Sequence, residues 1–184
     1  MTTPTATASL DAVDPADYRR VLGKVPTSVC VVSAMTPDGP VGVTVGSFTS
    51  VSLDPPLIVF YCGASSASAA SIASAGRFCV NVLSEGQHDV CSAFAGRAAD
   101  RFTACSWETG PNGAPRLDGV AAWIDCDVEA VHPAGDHVAI LGRVRSLESG
   151  PAARPLVFFQ GRLVPLDRTR LRSATTEPFA WWNA

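Results

Sequence analysis

Short apolar runs separated by turn residues dominate the pattern of this sequence. Runs rich in Val, Ile, Leu and Phe, bounded mostly by Gly, Pro, Asp or Asn, predict β-strands. They cover residues 27–35, 41–45, 47–53, 57–62, 78–83, 121–131, 137–147 and 155–164. In the run 121–131, Asp125, Asp127 and Glu129 share one parity, which predicts a strand with one face exposed to solvent.

Three segments, 14–24, 66–76 and 85–96, carry helix signals instead. The first opens with Asp14 and Pro15, an N-cap residue followed by proline in the first turn. The second is rich in Ala and Ser and ends at a glycine, and the third spaces its apolar residues for one buried face. Because strands and helices do not alternate, we expect a mainly β fold, a closed or nearly closed barrel with peripheral helices.

Composition narrows the functional classes. The chain has 184 residues, 47% hydrophobic and 17% charged, which fits one globular domain with a substantial core. A net charge of −3 does not favour nucleic-acid binding. No apolar run reaches about 18 residues, the length of a membrane span. The first residues lack a basic region followed by an apolar one, so no signal peptide is predicted and we expect a cytoplasmic protein.

The six cysteines show no metal-binding or redox spacing. There is no C-x-x-C motif and no Cys/His cluster, so no metal site is predicted. Cys30, Cys62, Cys79 and Cys126 lie within apolar runs. We therefore expect reduced thiols in the core of a cytosolic protein.

Hydroxyl side chains crowd the apolar stretch 42–60. They are Thr44, Ser47, Thr49, Ser50 and Ser52. Strict alternation places some of them on each face of a strand, so some would lie on the buried side. An unpaired buried hydroxyl costs about 1–3 kcal/mol, so these groups need partners. A bound polar ligand and the protein itself are both open as the source.

A second cluster of hydroxyls follows the strand 57–62. The chain turns at Gly63 and enters a helix through Ser65, Ser66 and Ser68. The free N–H groups of that helix start, with these hydroxyls, would form a phosphate cradle. Ordinary N-capping by Ser66 or Ser68 is the alternative, and it needs no ligand.

Several common motifs are absent from the sequence. No G-x-G-x-x-G follows a strand, and neither a P-loop nor H-E-x-x-H occurs. His137 begins a strand directly after Gly135 and Asp136, a position typical of a turn residue unless a site lies there.

Six segments, in this order and spacing, resemble the flavin reductase family with the split-barrel flavin-binding fold, the reductase partners of two-component flavin-dependent monooxygenases. They are GVTVGSFTSVSLDPPL, GASSASAASIASAGRFCVNVL, FAG…DRF, LDGVAAWIDCDV, GDHVAILGRV and PLVFFQGRL. The similarity covers roughly residues 14–164. It implies a flexible N-terminal arm at 1–13, a split-barrel domain at 14–167 and a C-terminal tail at 168–184.

The resemblance also implies an activity. A homodimer of split β-barrels would bind FMN or FAD near its interface, and the flavin would take a hydride from NADH or NADPH. The reduced flavin would then reach a partner monooxygenase by diffusion. Positioning rather than acid–base catalysis would drive the step.

Transferred to this chain, the resemblance implies two sets of contacts. The flavin would be bound by Val43, Thr44, Val45, Ser47, Phe48, Thr49, Ser50, Ser52, Gly63, Ala64, Ser65, Ser66, Ser68, Arg101 and Phe102. The nicotinamide would be bordered by His137, Phe158, Phe159, Gln160 and Gly161, with His137 orienting it. Two departures weaken the phosphate contacts: the segment 63–68 has no basic residue, and Gln160 stands where an arginine is common.

Two alternatives remain open at this point. One is a split-barrel protein that binds flavin or haem without turnover. The other is a serine hydrolase with Ser65 at a strand–turn–helix elbow and Asp136 and His137 later in the chain. Against it, Ala67 replaces the second elbow glycine. Alternation along a strand would also point Asp136 and His137 to opposite faces.

Overall fold

The computed structural model describes residues 13–96, 100–152 and 154–166. The predicted C-terminal tail, and the predicted N-terminal arm apart from its last residue, lie outside them. The helices are α1 (Pro15–Leu22), α2 (Ala67–Ala75) and α3 (His88–Ala95), with a 3-10 turn at Arg101–Ala104. The strands are β1 (Thr27–Ser28), β2 (Cys30–Thr36), β3 (Gly39–Val45), β4 (Thr49–Leu53), β5 (Pro56–Gly63), β6 (Arg77–Val82), β7 (Trp107–Thr109), β8 (Pro115–Leu117), β9 (Ala122–Ala134), β10 (His137–Ser149), β11 (Leu156–Phe159) and β12 (Arg162–Pro165).

An antiparallel sheet of seven strands is the main element, in the order β3-β2-β6-β9-β10-β5-β4. The smaller sheets β1-β11-β12 and β7-β8 accompany it. This architecture confirms the prediction of a mainly β fold with few helices. No described helix is long and apolar enough to cross a membrane.

The main sheet curls into a barrel-like shape. Ser47 follows β3, at one edge of the sheet, yet its hydroxyl bonds to the backbone of Tyr61 in β5, near the other edge. The main core includes Phe60, Phe78 and Ile140, and α2 contributes Ile72 to it. Burial of these large side chains is the dominant favourable contribution to folding.

A second core covers the other face of β2 and β6. It joins Val31, Leu83, Phe94 and Leu117, and α3 packs there through the apolar face predicted from its sequence. Strand β2 is therefore buried on both faces, which explains its nearly unbroken apolar sequence.

The helix signals of the sequence correspond to real caps. Asp14 Oδ1 accepts a hydrogen bond from Ala16 N at 2.6 Å, and Pro15 occupies the first turn of α1. Ser66 caps α2, and Gly76 ends it with a φ of 74°, a left-handed conformation that suits glycine. Both helices thus begin and end where the sequence predicted.

Two predicted strands are wrong as single strands. The run 27–35 divides into β1 and β2, which belong to different sheets. The run 155–164 is a hairpin, because Gln160 and Gly161 both have positive φ, 50° and 77°, and connect β11 to β12. Two-residue hairpin loops commonly need positive φ at both positions, so this dipeptide turns the chain.

The predicted exposure of Asp125 is also wrong. Its side chain is fully buried, because Arg116 from β8 reaches under the sheet and lies 2.5 Å from Asp125 Oδ2. Ser146 Oγ donates to the same carboxylate at 2.7 Å, and Glu148 pairs with Arg116 from the solvent side. Within the described residues, Asp125 Oδ1 and Arg116 Nε have no hydrogen-bond partner.

The four cysteines predicted from apolar runs, Cys30, Cys62, Cys79 and Cys126, are all buried. All six are free; five are buried and Cys105 is half-buried. Burial raises the pKa of Cys30 to about 12 and that of Cys62 to about 11, because the thiolate would lose its hydration. The described residues contain no group of three or more Cys, His, Asp or Glu able to hold a metal ion.

Candidate functional site

An open groove of about 1330 Å³, here called the main groove, lies between α1 and the sheet. Its sheet wall is formed by residues 43–47 and 61–63 together with Ser66. Its second wall is formed by α1 and the β11–β12 hairpin, and the turn before β10 closes one end. Ligand pockets are usually about 300–1,000 Å³, so this groove has room for more than one flat ligand.

Hydroxyl groups of the sheet wall have partners within the protein. Thr44 Oγ1 donates to the Cys91 carbonyl at 2.9 Å, which ties β3 to α3. Ser47 Oγ accepts from Tyr61 N and donates to Tyr61 O, both at 2.9 Å. For Thr44 and Ser47, the protein is therefore the source of the hydrogen bonds left open by the sequence.

The remaining hydroxyls of the first cluster lie elsewhere. Thr49, Ser50 and Ser52 belong to β4, the edge strand of the sheet, and do not line the main groove. Phe48 packs partly against the main core. Their contacts with a flavin remain predictions.

The start of α2 opens into the main groove through Ser66. Ser66 Oγ accepts from Ala69 N at 3.2 Å, so the capping interpretation is correct for this residue. The helix start is held in place because Ala64 N donates to the Asp136 carbonyl at 2.9 Å. Its positive dipole end favours an anion, so capping and phosphate binding are compatible.

Arg101 fastens α2 to the sheet. Its Nη1 donates to the Gly42 carbonyl at 2.7 Å and to Ser68 Oγ at 3.0 Å. Phe102 packs edge to face against Phe94 and Trp107, with ring centroids 4.8 and 5.6 Å apart. Neither Arg101 nor Phe102 lines the main groove, and their predicted approach to the flavin tail is not tested by this arrangement.

Asp136 and His137 form a pair at the end of the main groove. His137 Nδ1 lies 2.6 Å from Asp136 Oδ1, and this hydrogen bond holds the pKa of Asp136 below its usual value. The expectation that they face opposite sides is wrong, because Asp136 lies in the turn after Gly135, where strand alternation does not apply. With Nδ1 engaged, Nε2 is the ring nitrogen left for a ligand.

The serine hydrolase arrangement does not form. Ser65 is exposed, does not line the main groove and makes no hydrogen bond with His137 within the described part of the chain. An Asp–His pair without a nucleophile in reach lacks the first requirement of that chemistry.

The hairpin residues divide between two grooves. Phe158 and Gly161 line the main groove, and Gln160 lies with Gly161 in a smaller groove beside the end of α1. Phe159 lines neither.

Sequence reasoning missed the α1 wall and Tyr61. The signal was present in α1, a strongly amphipathic helix whose residues are all exposed. Tyr18 and Leu22 line the main groove, and no residue of this helix is buried in the core. A helix with an apolar face that the core does not use is therefore a pointer to a binding wall.

The groove has the features that a flat, polar-edged aromatic ligand needs. Tyr61 supplies exposed apolar surface, the start of α2 supplies a place for an anion, and His137 supplies an imidazole at the end of the groove. The donors of this set suit an aromatic ring system that carries a phosphate.

Comparison with known proteins gives one consistent result. The family model described as "Flavin reductase like domain" matches residues 22–167. A flavin reductase of Pseudomonas putida is 48% identical over 162 residues, 88% of this chain and 95% of that protein. The flavin-dependent monooxygenase reductase subunit HsaB of Mycobacterium tuberculosis is 40% identical over 171 residues, 92% of this chain and 89% of that one. The NADH:FAD oxidoreductase of Streptomyces globisporus, solved with NAD and FAD fragments, has a TM-score of 0.80 at 34% identity, covering 87% of this chain and 99% of that chain.

Proposed function

The chain belongs to the flavin reductase-like family, and from that premise we propose that the main groove is the place where flavin and nicotinamide nucleotide meet. The protein is an NAD(P)H-dependent flavin reductase that supplies reduced flavin to a partner flavin-dependent monooxygenase. The observation that supports this location is that residues 43–47, the start of α2 and His137 all open into one groove.

The bound flavin supplies a hydride acceptor for the reduced nicotinamide, and the protein's own task is to position and shield the two. Residues 43–47 border the ring with the backbone of the edge strand β3, since Val43 and Val45 pack on the main core. Ser66 and the free N–H groups at the start of α2 hold the flavin phosphate, and Arg101 lies next to that turn through its bond to Ser68 Oγ. His137, fixed by Asp136, orients the nicotinamide from the end of the groove.

No residue is assigned the role of a catalytic acid or base. His137 is the one histidine that lines the main groove within the described residues. Backbone N–H groups of residues 43–47 stabilise negative charge on a bound ligand without titrating. The rate then depends on how closely the two rings are held.

The supported ligands are FAD or FMN with NADH or NADPH. The related enzyme solved with NAD and FAD fragments makes FAD and NADH the first pair to assay. The test follows the loss of the absorbance band that NADH has and NAD⁺ lacks, in separate assays with FAD and with FMN. Absorbance that falls only when protein and flavin are both present is the expected result, whereas no decay with either flavin would favour the non-catalytic carrier.

We further propose a split β-barrel that pairs with a second copy of the chain. The Ser47–Tyr61 link supports barrel closure. The edge strand β4 leaves Leu53 69% exposed, and β10 leaves Leu147 73% exposed, an apolar surface that a second copy would cover. Light scattering should give the mass of a dimer, and Leu53→Asp should lower it; a wild-type monomer at micromolar concentration would contradict the proposal.

The same proposal treats residues 14–167 as one domain in the cytoplasm. The free, buried thiols support a reducing compartment. Fractionation of the native host with detection of the protein in the cytoplasmic fraction is the check.

A further inference from the structure

A second groove of about 480 Å³, here called the basic groove, adjoins the main groove. It is lined by Arg19, Arg20, Gly23, Lys24, Gln160 and Gly161. Arg19, Gly23 and Gly161 also line the main groove, so the two are continuous. A ligand seated in the main groove can therefore extend into the basic groove.

The basic groove gathers three cations in a chain whose net charge is −3. Arg20 is paired with Asp17, whose carboxylate lies 2.6 Å away. Among the described residues, Arg19 and Lys24 form no ion pair and no carboxylate lines the groove. Two exposed cations are thus available to an anion.

Basic residues are favoured near the C-terminal end of a helix because of its dipole, but this preference alone does not produce a groove. Here the β11–β12 hairpin forms the facing side: Gln160 N donates to the Gly23 carbonyl at 3.0 Å. Gln160 holds a φ of 50°, a left-handed conformation uncommon outside glycine, asparagine and aspartate. The wall opposite the cations is therefore a fixed turn rather than an open surface.

We propose that the basic groove binds the phosphate groups of the nicotinamide dinucleotide, with Arg19 and Lys24 as the contacts. This inference rests on the proposed function, in which the nicotinamide lies beside His137. Ser66 and the start of α2 belong to the sheet wall, whereas the basic groove opens on the wall of α1 and the hairpin. The flavin phosphate and the dinucleotide phosphates therefore have separate anion sites and can be bound together.

The experiment compares Arg19→Glu and Lys24→Glu with Arg77→Glu as a matched control. Arg77 is an exposed cation on β6 that lines neither groove, so its reversal changes the net charge equally. Steady-state kinetics are measured with NADH, with NADPH and with the uncharged donor 1-benzyl-1,4-dihydronicotinamide. Thermal melting of each variant confirms that it is folded.

We expect each groove variant to raise KM for NADH and NADPH about fivefold, because reversal removes an attraction and adds a repulsion. The kcat values, the KM for the uncharged donor and the KM for flavin should stay within about twofold of wild type. Arg77→Glu should leave every constant near its wild-type value. Added salt should raise KM for the dinucleotides more in wild type than in the variants.

Three results would overturn the proposal: unchanged KM for the dinucleotides, an equal rise for the uncharged donor, or a rise for flavin alone. Calorimetric titration with NADP⁺ measures the same contacts without turnover. A wild-type protein that binds NADP⁺ more tightly than the groove variants but oxidises no NADH would contradict the proposed function and support the basic groove. Equal NADP⁺ affinity in wild type and variants would contradict the basic groove alone.

Discussion

The hydroxyl of Ser47 bonds to both backbone groups of Tyr61, accepting from its N–H and donating to its carbonyl at 2.9 Å each. Strands β3 and β5 are not neighbours in the sheet order, so this side chain joins segments that no ladder joins. It also fixes the sheet wall of the main groove, because both residues line it.

Ser47→Ala should therefore weaken both the fold and the site. Removing the hydroxyl leaves Tyr61 N–H and C=O without their partner, and we expect a loss of about 1–2 kcal/mol in the free energy of unfolding. Urea unfolding measures that loss, and flavin fluorescence quenching measures the affinity. Ser92→Ala removes an exposed hydroxyl that donates to the His88 carbonyl within α3, away from the groove, and serves as the control. Equal affinity and stability in both variants would remove Ser47 from the proposed site.

His137→Ala should raise KM for the nicotinamide nucleotide more than it lowers kcat. In the proposed site the imidazole would orient the bound nucleotide without exchanging a proton with it, so binding should suffer first. We expect a KM increase of about fivefold with kcat within about twofold of wild type. Steady-state kinetics at saturating flavin are the measurement. A collapse of kcat at saturating nucleotide, with KM unchanged, would assign His137 a chemical role instead.

The Asp136–His137 pair should change the pH at which the Asp136 carboxyl titrates. The hydrogen bond from His137 lowers the pKa of Asp136 below its usual value of about 3.8. Because the carboxyl pKa is lower in the folded state, the pair contributes its full stabilisation of the fold above the pKa of the unfolded state. That stabilisation is lost as the pH falls through the lower pKa of the folded state. Carbon-detected NMR of the Asp136 carboxyl should give a midpoint below 3.8 in wild type. The midpoint should return toward that value in His137→Ala, and an identical midpoint in both would contradict the pair.

Arg116 should be one of the most sensitive positions for stability. Arg116→Met leaves the fully buried Asp125 carboxylate without its cation, and the loss of one partner of a buried pair costs about 3–5 kcal/mol. Chemical denaturation measures the change. Adding Asp125→Leu to the same chain should recover most of it, since no buried charge then remains unpaired. A double variant as unstable as the single one would contradict this account.

The order and type of the long elements could be predicted from local patterns, because caps and apolar runs are local properties. Asp14, Ser66 and Gly76 mark helix ends that the structure confirms. Asp125 was misplaced because its partner, Arg116, comes from a strand too short to be predicted. Burial of a charge depends on what packs over it, and alternation along one strand does not contain that information.

The residues of the candidate site were likewise predicted where the signal is local and missed where it depends on tertiary packing. The segment 43–47 and His137 were found from hydroxyl spacing and from the resemblance, and the structure brings both to the main groove. The α1 wall was not found, because a groove between a helix and a distant strand is a tertiary property. The hairpin at Gln160 was missed as well, since an apolar run on each side of a Gln-Gly dipeptide looks like one strand.

Thiol reactivity offers a simple check of the packing. Burial raises the pKa of Cys30 and Cys126 to about 12, so little thiolate exists at pH 8. We expect the native protein to react with Ellman's reagent at no more than one site, the half-buried Cys105, and at all six cysteines after denaturation. Cys105→Ser should abolish the native reaction. Several fast-reacting thiols in the folded protein would show that the cores are open.

These protonated, buried thiols matter for an enzyme whose product is reduced flavin. Free reduced flavin reacts with dioxygen and generates hydrogen peroxide, which attacks thiolates far faster than thiols. Because five of its six cysteine thiols are buried, we expect the folded chain to accumulate few sulfenic acids beside this oxidant. In that case, the resistance of the thiols to peroxide would follow from the packing of the two cores.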